Sequence, residues 1–311
     1  MKFDISVIIP TYNRAHFIQE ALQSVLQQSH PAHEIIVVDD GSKDNTPALA
    51  EQFPPSVRYI RQTNAGPSSA RNRGMRAATG NWIAFLDSDD LWVPEKLASQ
   101  VEFLEKFPQV DFLFADMSII NDGEDSETPE ILAQDVHTYF RDHASNIDDI
   151  FACLMKVNAI PTSSVLFRKE LLDQVGFFRE DLRCSEDYEW WIRWSFQARF
   201  GYLQKIVEKR RIHGANIIAD RRLMLRTTLQ VLEETRALFP DAPDEKQKLW
   251  AKAILRQQVN LADECFHHRA YVEAANLLAK AKPFSQFGSK ERIKYQVKYM
   301  VALVASSLGK A

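Results

Sequence analysis

The chain has 311 residues, with 38 Lys and Arg against 42 Asp and Glu and a formal net charge of −4. That length holds one large domain or two smaller ones with a real core, and the mild acidity leaves no electrostatic footprint for a nucleic acid partner. Three well-separated cysteines, Cys153, Cys184 and Cys265, suit a reducing compartment, and no run approaches the roughly 18–20 apolar residues that cross a bilayer, so the expectation is a cytoplasmic protein, at most peripheral on the inner face of a membrane.

Residues 5–9 (ISVII) are short, β-branched and apolar, as in a buried strand; Asp4 breaks the run too early for a secretory signal. Residues 14–28 carry Ile18, Leu22, Val25 and Leu26 at helical spacing. Residues 35–38 (IIVV) form a second strand ending in Asp39-Asp40. Thr46 before Pro47 offers a capping hydroxyl and a first-turn proline. Residues 57–60 are a weaker strand, Gly66-Pro67 opens a helix, and Gly80 stands where that helix should stop. Residues 82–86 (WIAFL) run into Asp87-Ser88-Asp89-Asp90, and Pro94 starts a helix with Leu97, Val101 and Leu104 inward. This alternation predicts an α/β fold, a mostly parallel sheet flanked by helices. Ligands bind beyond the carboxyl ends of such strands, so PTYN, DDGS and DSDD should meet at one edge.

Residues 111–116 (DFLFAD) and 163–167 (SSVLF) read as further strands. Between them lies an acidic stretch, 121–130, without periodicity, which suits a loop or a lid. EDYEWWIRWSF is a helical run, and its tryptophans, Trp190, Trp191 and Trp194, are read mainly as core. Beyond about 218 long helical patterns dominate, which marks an all-helical C-terminal module; residues 261–281 have the two-helix rhythm of a tetratricopeptide-like hairpin.

Asp87, Asp89 and Asp90 place three carboxylates within four residues. A hard divalent cation relieves their repulsion, and Mg²⁺ or Mn²⁺ bind through one or two carboxylates plus phosphate oxygens. Taken alone, the segment also fits a solvated helix-capping turn. Asp39-Asp40 after a strand also fits the acids of a receiver domain, but no later strand ends in the lysine that such a domain needs. Arg71 lies on a helix whose start faces the same edge, a geometry that suits a diphosphate.

ISVIIPTYNR, EIIVVDDGSKDNT, NAGPSSARNRGMRAATG and WIAFLDSDDLW, in this order and spacing, resemble family 2 of the GT-A fold glycosyltransferases over roughly residues 3–95. Ser185-Glu186-Asp187-Tyr188 and the run from Arg211 through His213 to Asn216 resemble the family's ED and RxHxxN elements; Ile217-Ile218 departs from the serine often found there. The helical module lies outside the resemblance. The resemblance implies a GT-A, Rossmann-like domain with a nucleotide-sugar-binding half (1–110) and an acceptor-binding half (111–218); the helical module (219–311) is read from the change of pattern alone. Pro10, Thr11 and Tyr12 would line the base pocket, with Tyr12 stacking. Asp39 would hydrogen-bond the base, Arg71 and Ser88 would help hold the nucleotide, and Asp87 would lie near the ribose. Asp89 would bind Mn²⁺ or Mg²⁺, with Asp90 as a substitute and His213 as a ligand or a diphosphate contact. Asp187 would be the general base.

Sugar transfer needs one carboxylate to take the acceptor hydroxyl's proton and a counter-charge for the leaving diphosphate. One base and one metal suffice for a single displacement that inverts configuration, whereas glycosidases need two carboxyls flanking the bond. Glu186 and Asp187, adjacent on a helix, point in different directions and are not such a pair. The expected reaction moves a sugar from a nucleotide diphosphate sugar, UDP-linked by default, to a glycan or lipid-linked acceptor. A sugar nucleotidyltransferase would want a glycine-rich basic loop where PTYNR stands, and an inactive nucleotide-binding scaffold is the alternative outside enzymes. His267-His268 reads as surface. The run from Lys290 to Lys310 mixes lysines with an apolar stripe, either a closing helix or a peripheral membrane contact.

Overall fold

The computed structural model describes residues 2–121, 124–125, 147, 150–212, 220–281 and 289–307. The chain divides into two compact units, Met1–Asn216 and Ile217–Ala311.

The first unit is built on one sheet. Among the described residues its strands are β1 (Ile5–Thr11), β2 (Glu34–Asp39), β3 (Val57–Arg61), β4 (Trp82–Phe85), β5 (Leu91–Trp92), β6 (Phe112–Asn121), β7 (Glu124–Asp125), β8 (Leu166–Arg168) and β9 (Phe200–Ile212). The spatial order is β3-β2-β1-β4-β8-β6-β9-β5, with β7 paired to β6. From β3 to β4 every pairing is parallel. β8 runs antiparallel to both β4 and β6, and β6 pairs in parallel with β9. The chain leaves β1 towards β2 and β3 and returns on the other side as β4. That reversal is a topological switch point, and sheets of this kind bind ligands beyond the carboxyl ends of the strands on either side of it, here β1 and β4.

The helices of this unit are α1 (Ile18–Leu26), α2 (Thr46–Ala50), α3 (Pro67–Ala77), α4 (Lys96–Lys106), α5 (Ile150–Leu154), α6 (Leu172–Val175) and α7 (Glu186–Trp194). Alternation along β1 sends its side chains to two layers. Ile5, Val7 and Ile9 share one core with Ile18, Leu22 and Val25 of α1 and Leu97, Val101 and Leu104 of α4. Each such side chain, fully buried, contributes about 1.5–3 kcal/mol. On the opposite face Ile8 meets α3 at Gly74, where a Cβ would overlap the Ile8 side chain. Phe85, Phe178 and Trp190 pack together on that face. Trp190, Trp191 and Trp194 are all fully buried, so their helical spacing builds core, as expected.

Two local expectations shift. Thr46 is the first residue of α2 and not its cap; the Asp44 carboxylate accepts the Thr46 N–H at 3.0 Å. Residues 163–167 do not form one strand. Pro161 C=O accepts both the N–H and the hydroxyl of Ser164, at 3.1 and 2.9 Å. This winds Thr162–Ser164 into a 3₁₀ turn and delays β8 to Leu166. Most of the acidic stretch after Asn121, and His213 through Asn216, lie outside the described residues.

The second unit comprises α8 (Arg221–Leu238), α9 (Asp244–His267), α10 (Tyr271–Lys280) and α11 (Ser289–Ser307). Asp220 caps α8 by accepting the Leu223 N–H at 2.9 Å. Leu229, Val259, Ala262, Leu278, Tyr295 and Ala302 belong to its core. α9 and α10 form the helical hairpin expected from residues 261–281. His268 is exposed and lies 3.2 Å from Glu264. α11 packs through Tyr295 and Ala302 and exposes Ile293, Val297, Met300, Val301 and Val304. No described helix is long and apolar enough to cross a membrane.

Candidate active site

Strand register brings the first two motifs together. β1 and β2 end side by side, with Pro10 opposite Val38 and Thr11 opposite Asp39. Thr11 is buried, whereas Tyr12, one residue beyond, is 38% exposed and offers its ring. Asn13 turns the chain in the left-handed region at φ 52°, which Asn tolerates better than most residues. Its side chain and backbone lock onto the next loop: Lys43 N–H donates to Asn13 Oδ1 at 2.8 Å, and Asn13 N–H donates to Ser42 Oγ at 2.9 Å.

Asp39 and Asp40 are both buried and do different work. Asp39 accepts the Ser42 N–H at 2.8 Å and the Tyr59 hydroxyl, with Arg61 Nε 3.8 Å away. Burial and this bond to Asp39 push the Tyr59 phenol's pKa up, so it stays a donor. Asp40 accepts from Gln62 Nε2, Ala65 N–H and Gly66 N–H at 2.8, 2.9 and 2.7 Å, which fixes the entry to α3. Gly41 between these loops sits at φ 78°, with Asn64 N 2.9 Å from where a Cβ would stand; only glycine fits both demands.

The acid turn after β4 gathers Asp87, Ser88, Asp89 and Asp90. Arg14 Nε pairs with Asp89 Oδ2 at 3.1 Å, so the β1 loop reaches the acid turn directly. Asp90 is almost completely buried. It accepts from the Arg211 N–H and the Ser163 hydroxyl, both at 3.1 Å. Burial first, then the charges of Asp87 and Asp89, raise its pKa to about 8. Ser88 is buried in the same turn. Beneath the turn lie Lys96, pushed down to about 7 by burial against the opposing pull of Glu208, and Glu208, held well above the usual carboxylate range by burial and by Asp90. One Glu208 oxygen, Oε2, is buried without a hydrogen bond.

α7 supplies the other acids. Its N-cap, Ser185, is left-handed at φ 58°, a strained choice for a non-glycine residue of the sort concentrated at functional sites. Asp187 accepts the Tyr188 N–H at 2.6 Å and Asn158 Nδ2 at 3.2 Å, with the Thr162 hydroxyl at 3.5 Å. Burial, reinforced by the charge of Glu186, lifts Asp187 to about 6. Glu186 itself faces Arg71. The Arg71 guanidinium is 5% exposed and bridges Glu186 at 2.9 Å and Asp87 at 2.7 Å. Burial opposes its charge, but the two carboxylates hold its pKa above the ordinary value.

The structure therefore places Thr11, Tyr12, Asp39, Asp87, Ser88, Asp89 and Asp90 at or just beyond the carboxyl ends of the strands, with Arg71 of α3 joining Asp87 to Glu186, the neighbour of Asp187 at the start of α7. His213 lies outside the described residues, and among the described residues no three acids, histidines or cysteines converge as a ready-made metal cage. The acids nonetheless suit a hard cation that arrives with phosphate: burial and the charges of Asp87 and Asp89 both raise Asp90, and a cation bound beside them would offset that repulsion. Sequence reasoning missed Arg14, Tyr59, Asn158, Ser163, Glu186 as the partner of Arg71, and the Lys96–Glu208 pair. A buried lysine at a helix start, Lys96, carries no local signal of its environment.

Comparison with known proteins gives a consistent result. Residues 6–176 match the family described as Glycosyl transferase family 2. An uncharacterized glycosyltransferase of Rickettsia felis is 34% identical over 212 residues, 68% of this chain and 33% of that protein; the chain spans about a third of the length of the first curated relatives it matches. S. aureus TarS 1–349 in complex with UDP superposes with a TM-score of 0.70 at 22% identity, covering 98% of this chain and 92% of that one. The mannosyltransferase PcManGT of Pyrobaculum calidifontis, in complex with GDP-Man and Mn²⁺, gives 0.60 at 20% identity, with 100% and 89% covered. These likenesses identify the fold as GT-A.

Proposed function

This chain belongs to glycosyl transferase family 2, and on that premise we propose that it moves a sugar from a nucleotide diphosphate sugar to an acceptor hydroxyl by inverting single displacement. The observation that carries the reading is the contrast between two acid groups at one sheet edge. Asp187 sits near pKa 6, ionised at neutral pH yet basic enough to take a hydroxyl proton. The Asp87–Asp90 turn instead concentrates negative charge that needs a counter-ion.

In this reading Tyr12 stacks on the base, with Pro10 and Thr11 beside it, and Asp39 sets the pocket's edge through Tyr59 and Ser42. Asp87 and Ser88 face the ribose and phosphates. Asp89 and Asp90 would hold Mn²⁺ or Mg²⁺, with His213 as a further ligand; the bound cation supplies charge neutralisation for the departing diphosphate. Arg71 holds Asp87 and Glu186 at fixed distance, and through Glu186 it orients the start of α7. Asp187 accepts the acceptor's proton as the new glycosidic bond forms and the bond to the diphosphate breaks. UDP is the favoured nucleotide, supported by the fold shared with TarS, whose structure holds UDP. The acceptor is a glycan or a lipid-linked glycan on the cytoplasmic side. The exposed apolar row of α11 supports peripheral contact with a membrane, the lysines Lys294 and Lys298 of that helix being already paired with Asp263; absence of co-sedimentation with vesicles removes that part.

The test of the reaction is release of UDP from a panel of UDP-sugars in the presence of Mn²⁺, with product configuration read by NMR. Inverted product that disappears in Asp187→Asn supports the reading. Nucleotide binding without turnover on any donor supports an inactive scaffold instead.

A further inference from the structure

One short segment, residues 158–164, touches both halves of the chemistry. Asn158 Nδ2 donates to Asp187 Oδ1 at 3.2 Å, and Thr162 Oγ1 faces Asp187 Oδ2 at 3.5 Å. The next residue, Ser163, is buried and turned the other way. It accepts the Asp87 N–H at 3.0 Å and donates to Asp90 Oδ2 at 3.1 Å. Its carbonyl takes the Trp92 indole N–H at 2.8 Å, which ties the turn to β5 just past the acids. Ser164 is fully buried; its carbonyl accepts Lys96 Nζ at 3.0 Å and Gln100 Nε2 at 2.8 Å from α4. The 3₁₀ geometry set by Pro161 makes this division possible, because successive side chains in a tight turn leave on different sides.

Resting on the transferase reading above, we propose that the turn Thr162–Ser164 is a positioning bracket. It sets the separation between the base, Asp187, and the metal-binding acid turn, and it transmits ordering of the acid turn to the base. Ser163 and Thr162 are positioning residues: each acts through the carboxylate it holds. The anchor from Lys96 and Gln100 is what makes the bracket stiff. A backbone carbonyl with two buried donors, one of them on a lysine, does not slide, so movement at Asp87 or Asp90 passes along the turn to Asp187 instead of being absorbed.

The groups facing Asp187 are Glu186 on its own helix, Arg71 from α3, the Asn158 amide and the Thr162 hydroxyl. The experiment follows the Asp187 carboxyl carbon by NMR, assigned by its loss in Asp187→Asn, during titration with Mg²⁺ and UDP. In the wild type the resonance moves on binding. In Ser163→Ala two hydrogen bonds to the acid turn vanish, UDP affinity in Mg²⁺ falls about tenfold, and the Asp187 resonance stays put even at saturating UDP. Ser163→Thr, which keeps the hydroxyl, restores the movement. If Ser163→Ala does not fold, Thr162→Val serves: it leaves UDP affinity at the wild-type value and diminishes the Asp187 response. An Asp187 shift that persists in full in these variants at saturation is a direct field effect of the nucleotide and overturns the bracket. A wild type that binds none of UDP, GDP and TDP in Mg²⁺ overturns the transferase reading, and the bracket with it.

Discussion

Arg71 and Glu186, 115 positions apart, meet at 2.9 Å with the arginine almost entirely buried. Since the same guanidinium also holds Asp87 at 2.7 Å, one side chain on α3 joins the acid turn after β4 to the start of the base helix α7. Removing one partner of a buried ion pair leaves the others uncompensated, at a cost of about 3–5 kcal/mol. Arg71→Ala is therefore expected to lower the melting temperature by roughly 6 °C or more, by calorimetry, and to abolish nucleotide binding. Unchanged stability would show that the two acids find water instead.

Asp187 supplies a pH signature. Its pKa stands at about 6 in the folded chain against an ordinary 3.8. Between those values the folded state holds more protons than the unfolded one, so this group's contribution to stability falls as pH rises through the window and stays lowered above it. Asp187→Asn removes the penalty. It should melt a few degrees higher than the wild type at pH 7.5, with the advantage gone near pH 4, and lose turnover by about 10²-fold or more. In the wild type, turnover should fall on the acid side with a midpoint near 6. A rate flat from pH 5 to 8 argues for another base.

Gly74 lets α3 lie against Ile8 of β1. Gly74→Ala adds a methyl where there is no space. Overpacking costs about 1–3 kcal/mol, more than the roughly 1 kcal/mol of helix propensity it gains. The variant should unfold at lower denaturant concentration with an unchanged slope, and because α3 carries Arg71, it should also bind nucleotide less tightly.

The strands of the first half were legible in the sequence because each is a short apolar run followed by an unusual polar cluster. Residues 5–9, 35–38 and 82–86 all appear as β1, β2 and β4, and their order dictates the shared edge. The division of labour among the acids was not legible. Neighbours such as Asp39 and Asp40, or Glu186 and Asp187, look alike in sequence, and only packing decides that Asp40 fixes the Gly66 turn or that Glu186 turns to Arg71. Residues 163–167 misled because SSVLF has strand composition, while Pro161 upstream imposes a turn. Lys96 and Glu208 were invisible for a related reason: two ionisable groups 112 positions apart come to influence each other in the interior only once α4 and β9 are in place.

Every role proposed for the site depends on the acid turn taking a divalent cation together with a nucleoside diphosphate. Calorimetric titration of UDP, with GDP and TDP alongside, in the presence and absence of Mn²⁺ tests it most directly, on the wild type and on Asp89→Ala. Metal-dependent binding of UDP to the wild type is expected, weakened by about tenfold or more in Asp89→Ala. Equal binding with and without Mn²⁺, or none to any of the three nucleotides, would contradict it and leave the Asp87–Asp90 cluster as a structural turn.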